Sequence, residues 1–145
     1  LIATARTKSY KKAMKAAGLT EFIQVIAGGE DSLDGQKAAD FVLQLASRPT
    51  AIIAYNDDVA VAASTHFAYA SLSVPNDISL VGWDDSEAAA RSEMPLTSVR
   101  QEPEQLAKLA FERILSRIEN PDQDFKPVVL EPTLVVRQST GKVKK

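Results

Sequence analysis

Two polar clusters mark where this chain could do chemistry. Asn56-Asp57-Asp58 follows the apolar run Ala51–Tyr55, and Trp83-Asp84-Asp85 follows Ile78–Gly82. Carboxylates and carboxamides accept or donate in fixed directions, which suits sugar hydroxyls or purine edges. Trp83 could stack on a sugar or a base, and it could equally fill core. Asn and Asp at strand–helix junctions often only cap the next helix, so Asn56, Asp84 and Asp85 each carry two readings. Arg6 offers a guanidinium fork for a ligand oxygen or carboxylate, although a lone arginine usually lies at the surface. Glu30, after the turn Gly28-Gly29, is a weaker candidate.

Catalysis finds little support. His66, the single histidine, falls mid-helix, where packing or solvation is the ordinary role. No HExxH, GxSxG or P-loop occurs. Gly28-Gly29 lacks the third glycine of a dinucleotide fingerprint. Neighbours in sequence point in different directions, so neither Asp57/Asp58 nor Asp84/Asp85 is itself an acid/base or metal pair. The chain has no cysteine, which removes disulfides, thiolate metal sites and a cysteine nucleophile. No enzyme activity, metal or cofactor is expected.

These junctions must be held by a framework, and the chain alternates helix and strand. Helical spacing spans 7–18, with Tyr10, Ala13, Met14 and Ala17 inward. Phe22–Ile26 is β-prone. Asp31 or Ser32 caps a helix facing inward with Ala38, Phe41, Val42 and Leu45. Ala51–Tyr55 suits a parallel strand covered on both faces. A helix follows to about Ala70, its stripe being Val59, Ala63 and Phe67, with acidic residues at its positive end. Strand Ile78–Gly82, a short helix at 86–92 and a brief strand or crossing segment at Thr97–Val99 come next. Pro103 opens a long helix to about Glu119, with Ala107, Phe111, Ile114, Leu115 and Ile118 on one face. Val128–Val136 closes with one or two strands that Pro132 must interrupt or edge. The fold class is α/β, a three-layer parallel sheet with helices on both faces. Ligands of such sheets bind outside the carboxyl ends of strands, so the two polar clusters should share one edge.

Composition sets limits. The net charge is −2 over 145 residues, with 45% hydrophobic and 25% charged. That is a globular balance with no basic surface for nucleic acid. Lys142, Lys144 and Lys145, in the tail 141–145, read as a solvated end. No apolar run nears the ~18 residues of a membrane span, and no signal peptide opens the chain. Cytoplasmic location is the default.

Four segments resemble the LacI/GalR family of transcription regulators. Arg48-Pro49-Thr50-Ala51-Ile52-Ile53-Ala54-Tyr55-Asn56-Asp57 is similar to its "RPTAI…ND" segment. Val74-Pro75-Asn76-Asp77-Ile78-Ser79-Leu80-Val81-Gly82-Trp83-Asp84-Asp85 resembles "VPxDISxxGxDD". Pro95-Leu96-Thr97-Ser98-Val99-Arg100-Gln101 resembles "PxLTTVRQ", and Leu134-Val135-Val136-Arg137-Gln138-Ser139-Thr140 resembles "LVVRxST". Order and spacing agree across about 1–140.

The resemblance implies a periplasmic-binding-protein-like effector core. Residues 1–99 and 128–140 would form most of its second lobe. The helix segment 100–127 would belong to the first lobe, whose remainder lies outside these residues, as does the DNA-reading headpiece. It also implies a small-molecule effector, most simply a sugar, a homodimer, and operator DNA bound only through that headpiece. Arg6 falls on the family's effector-clamping arginine, although Ser9 replaces the usual glycine nearby. Asn56 and Asp84 fall on effector-contacting positions, and Trp83 where an aromatic stands. Glu30 occupies a place that is aromatic in some purine-binding members, which favours a sugar. Ala63-Ser64-Thr65-His66 replaces a more usual Gly-containing run. A periplasmic sugar-binding protein of the same fold is the alternative.

Overall fold

The computed structural model describes residues 2–143. The elements follow in order α1 (Ile2–Ala16), a 3₁₀ turn (Thr20–Phe22), α2 (Ser32–Gln44), β1 (Ala51–Ile53), α3 (Asp57–Tyr69), β2 (Ser79–Trp83), α4 (Glu87–Ala90), β3 (Thr97–Arg100), α5 (Pro103–Glu119) and β4 (Thr133–Val135). Among the described residues the strands form one sheet in the order β1-β2-β3-β4. β1–β2 and β2–β3 are parallel, with Ile52 opposite Leu80 and Gly82 opposite Ser98. β4 runs antiparallel to β3, with Leu134 opposite Val99. The α/β class therefore stands, with a sheet that is mixed rather than wholly parallel.

Alternation along β2 separates two faces. Leu80 and Gly82 are buried on the face that α3 covers. Val81 and Trp83 look the other way, where α1 reaches the sheet through Arg6 stacked on Trp83. The core gathers Ala39, Val42, Ala60, Phe67, Ile78, Leu80, Ala89 and Leu96, each 1% exposed or less. Helix α3 supplies the stripe Val59, Ala63 and Phe67 that its spacing predicts, with Ala60 beside it.

Helices α2 and α3 approach closely because Gly35 has no Cβ. One placed there would sit 2.5 Å from the Val59 carbonyl oxygen and 2.9 Å from Ala62 Cβ. This contact rotates α2 from its expected seat. Gly35, Ala39 and Val42 are buried, whereas Phe41 stays 50% exposed. Close packing selects the small residues of the helix, not its largest one.

Other expectations change as well. Phe22–Ile26 forms no strand; its apolar side chains stay largely exposed, because a strand needs a neighbouring ladder and none pairs with it. β1 is shorter than Ala51–Tyr55 and Ile53 is 60% exposed, so that strand is not covered on both faces. Helix α1 begins well before residue 7, which places Arg6 within it. Of its expected inward face, Tyr10 and Met14 are half-buried while Ala13 and Ala17 are exposed. From Val128–Val136 only Thr133–Val135 is strand, starting directly after Pro132. Proline cannot donate to a ladder, so the strand begins past it. Lys144 and Lys145 lie outside the described residues.

Candidate functional site at the carboxyl edge of the sheet

The polar clusters do meet at one edge. Asn56 ends the β1 junction and starts α3. Its Oδ1 accepts from the Val59 amide at 2.9 Å, capping the helix. Its Nδ2 donates to the Glu30 carbonyl at 2.8 Å. The second N–H of that amide takes no part in these two bonds. Arg6 Nη1 donates to the Tyr55 carbonyl at 2.5 Å. The same guanidinium lies 4.0 Å from the Trp83 ring centroid and 5.1 Å from that of Tyr55, a stacked geometry that orients the fork. Interaction with the Glu30 carboxylate, and after it burial, raise the Tyr55 pKa above its ordinary value. Arg6, Glu30, Asn56 and Trp83 are thus brought around Tyr55, which the sequence reading did not single out.

Asp84 sits beside Trp83 with φ = +103°, and Asp85 follows at +54°. For residues with a Cβ such backbone costs roughly 1–3 kcal/mol, and it gathers at functional turns. The Asp84 amide donates to the Val99 carbonyl at 2.9 Å. Its Oδ1 accepts from Gln101 Nε2 at 2.8 Å. The Asp84 side chain is exposed at the rim.

Asp85 serves differently. Its side chain is 4% exposed. Oδ2 accepts from Arg100 Nε at 2.6 Å, and Arg137 Nη1 lies 2.6 Å from Oδ1 as an ion pair. Burial alone would raise its pKa, yet the Arg137 and Arg100 guanidiniums outweigh it and hold the carboxyl below the usual aspartate value. Asp57, 2% exposed, is structural too. Its Oδ1 accepts from Ser98 Oγ and its Oδ2 from the Ser86 amide, both at 2.6 Å. Gly82 makes room for it, since a Cβ there would lie 2.2 Å from Asp57 Oδ1.

The edge is open and not a closed pocket. Two surface hollows lie elsewhere. One of about 390 Å³ is lined by Arg48, Thr50, Asn76 and Ser79 among others. The other, of about 710 Å³, runs between α2 and α3 and touches Glu30 at one end. His66 lines the latter and contacts Asp40 at 2.6 Å, so it ties α3 to α2. Among the described residues no group of three His, Cys, Asp or Glu could hold a metal ion.

Residues 2–140 match the periplasmic binding protein-like domain. The chain belongs to that family. Within it, the relatives of this periplasmic binding protein-like domain include LacI-type transcription regulators. The ribose operon repressor of Haemophilus influenzae is 34% identical over 144 residues, covering 99% of this chain and 43% of the repressor. The PurR repressor of Vibrio vulnificus is 34% identical over 95% of this chain and 42% of its own length. A LacI transcriptional regulator from a Rhodococcus species superposes with a TM-score of 0.87 at 31% identity, over 94% of this chain and 50% of that one. A LacI-family regulator from Enterococcus faecalis, solved with bound ribose, gives 0.83 at 27% identity, over 93% and 49%. The chain spans under half the length of the curated relatives it matches.

Further residues that were not candidates in the sequence brace this edge of the sheet. Ser98, Arg100, Arg137 and Ser139 find partners 13 or more residues away, and the Ser86 amide donates to Asp57 across 29 positions. The available signal was that Ser98, Arg100, Arg137 and Ser139 fall within the segments that resemble the LacI/GalR family.

Proposed function

We propose that this chain is the effector-binding and dimerisation region of a LacI/GalR-type transcription regulator. Its effector is a small sugar, and D-ribose is the first to try. Residues 1–99 and 128–140 form one lobe, and 100–127 carries a helix of the other. The observation that carries this reading is the convergence at one sheet edge. Arg6 is stacked on Trp83, and Asp84 is held with a positive φ. In this role Arg6 donates to ligand oxygens with the N–H groups that Tyr55 does not use. Asp84 accepts from sugar hydroxyls, Trp83 covers an apolar sugar face, and Asn56 contributes its spare N–H. Glu30 borders the site and orients Tyr55.

Effector binding would favour one arrangement of the lobes, because only differential affinity shifts such an equilibrium. In a homodimer that shift reaches operator DNA through headpieces outside these residues. A cytoplasmic location goes with this role, and among the described residues no helix is long and apolar enough to cross a membrane. The kinship with repressors supports the regulator over a periplasmic sugar-binding protein.

Calorimetric titration of the full-length protein with D-ribose tests the reading. Asp84→Ala is expected to weaken binding by at least a hundredfold, since a buried sugar hydroxyl loses a charged acceptor. Unchanged affinity would remove Asp84 from the site.

A further inference from the structure

Two carboxylates at this edge are committed to the fold: Asp57 to Ser98 and Ser86, Asp85 to two arginines. Asp84 differs. Its Oδ1 accepts from Gln101, and among the described residues its Oδ2 accepts no hydrogen bond. A carboxylate that is to accept from a ligand must present one oxygen in a fixed direction.

Its backbone is already fixed. The amide is bound to the Val99 carbonyl, φ is +103°, and the next residue is anchored through Ser98 Oγ to its amide at 3.0 Å and by Arg100 and Arg137 to its side chain. Only the two side-chain torsions of Asp84 remain, and the 2.8 Å bond from Gln101 Nε2 sets them. Gln101 stands between the end of β3 at Arg100 and the start of α5 at Pro103. It therefore belongs to the crossing segment and not to the strand that carries Asp84.

We infer that Gln101 is a positioning residue for the effector. It holds the Asp84 carboxylate with Oδ2 left to accept from a ligand hydroxyl, and it makes effector affinity depend on the segment joining β3 to α5. The inference rests on the reading of Asp84 as an effector ligand. A carboxamide suits the task because its –NH₂ can only donate and carries no charge to compete with the ligand. A displacement of α5 that pulls Gln101 away frees the carboxylate to rotate, and affinity falls without any change in the groups touching the ligand.

D-Ribose titrations of four full-length proteins, wild type, Asp84→Ala, Gln101→Ala and Gln101→Glu, between pH 5 and 8 test it. Gln101→Ala is expected to bind about tenfold more weakly, or about 1.4 kcal/mol, with an unchanged Tm, because the side chain is exposed. Gln101→Glu sets two carboxylates side by side, and like charges at that distance share a proton once pH is low enough. Its binding is expected to be weak at pH 8 and to recover towards wild type at pH 5, while wild type stays flat. A packing defect would not produce that pH profile. Wild-type affinity in both Gln101 variants, with Asp84→Ala defective, would overturn this inference alone. Wild-type affinity in Asp84→Ala, or no ribose binding by wild type, would overturn the sugar-site reading and this inference with it.

Discussion

Helix α3 buries Val59, Ala60, Ala63 and Phe67 within 13 residues. Helix α5 has 17 residues and buries none. Leu106, Phe111, Ile114, Leu115 and Ile118 on α5 are 44–72% exposed. Both helices have an apolar stripe and a sound N-terminus, Asn56 capping the first and Pro103 opening the second. What separates them is the surface opposite. Helix α3 lies on β2 and against α2 at the Gly35 contact. Among the described residues, α5 buries no side chain against the sheet or another helix and meets the loop after it, where Arg113 and Arg117 stack on Phe125. An amphipathic pattern specifies which face wants burial; tertiary packing decides whether it is granted.

Substitutions on the two helices can break this comparison, and the largest effect belongs to α3. Phe67→Ala should destabilise the chain by about 3–5 kcal/mol in urea unfolding, through lost transfer energy and a cavity. A cost under about 1 kcal/mol would mean that the α3 face is not packed. Asp57→Ala comes next, at about 2–4 kcal/mol, because the Ser86 amide and Ser98 hydroxyl lose their acceptor.

Asp85→Asn should cost about 1.5–3 kcal/mol at pH 7, the range of charge-assisted hydrogen bonds. Its sign with pH is fixed. The folded pKa is lowered, so the carboxylate's stabilisation is complete above the ordinary aspartate value of about 3.9. It is lost as pH falls through the lower folded value. Acid titration of Tm should therefore fall less steeply in Asp85→Asn than in wild type, and parallel curves would count against the pairing.

The smallest effect belongs to α5. Phe111→Ala in this chain should change stability by no more than about 0.5 kcal/mol. The same substitution in the full-length protein sharpens the comparison, since a cost of about 2–4 kcal/mol there would show that a further part of the protein covers α5.

The sequence revealed periodicity and punctuation well. The α3 stripe, the start of α5 at Pro103, the strand Thr97–Arg100 and the shared edge of the two polar clusters all follow from spacing and turn chemistry. It revealed less where three-dimensional contact decides. Phe41 was expected inward on helical spacing, and the α2–α3 approach at Gly35 chose small residues instead. Phe22–Ile26 has β propensity but no ladder to join. At the site, the residue types were legible and their commitments were not. Asn56 divides its amide between a cap and Glu30, and Asp85 is held by arginines 15 and 52 positions away. Such pairings leave no local trace.

Ser139 is buried between two strands. Its hydroxyl donates to the Leu80 carbonyl at 2.6 Å and accepts from the Thr97 amide at 2.8 Å, and its carbonyl accepts from the Leu80 amide. The contacts to Leu80 span 59 positions. During synthesis β1, β2 and β3 all leave the ribosome well before the residue that fastens β2 to β3 at this point. Until Ser139 has been made, the Leu80 carbonyl and the Thr97 amide at this point have only water to bond, so a chain cut short of it keeps the β2–β3 ladder but lacks this fastening.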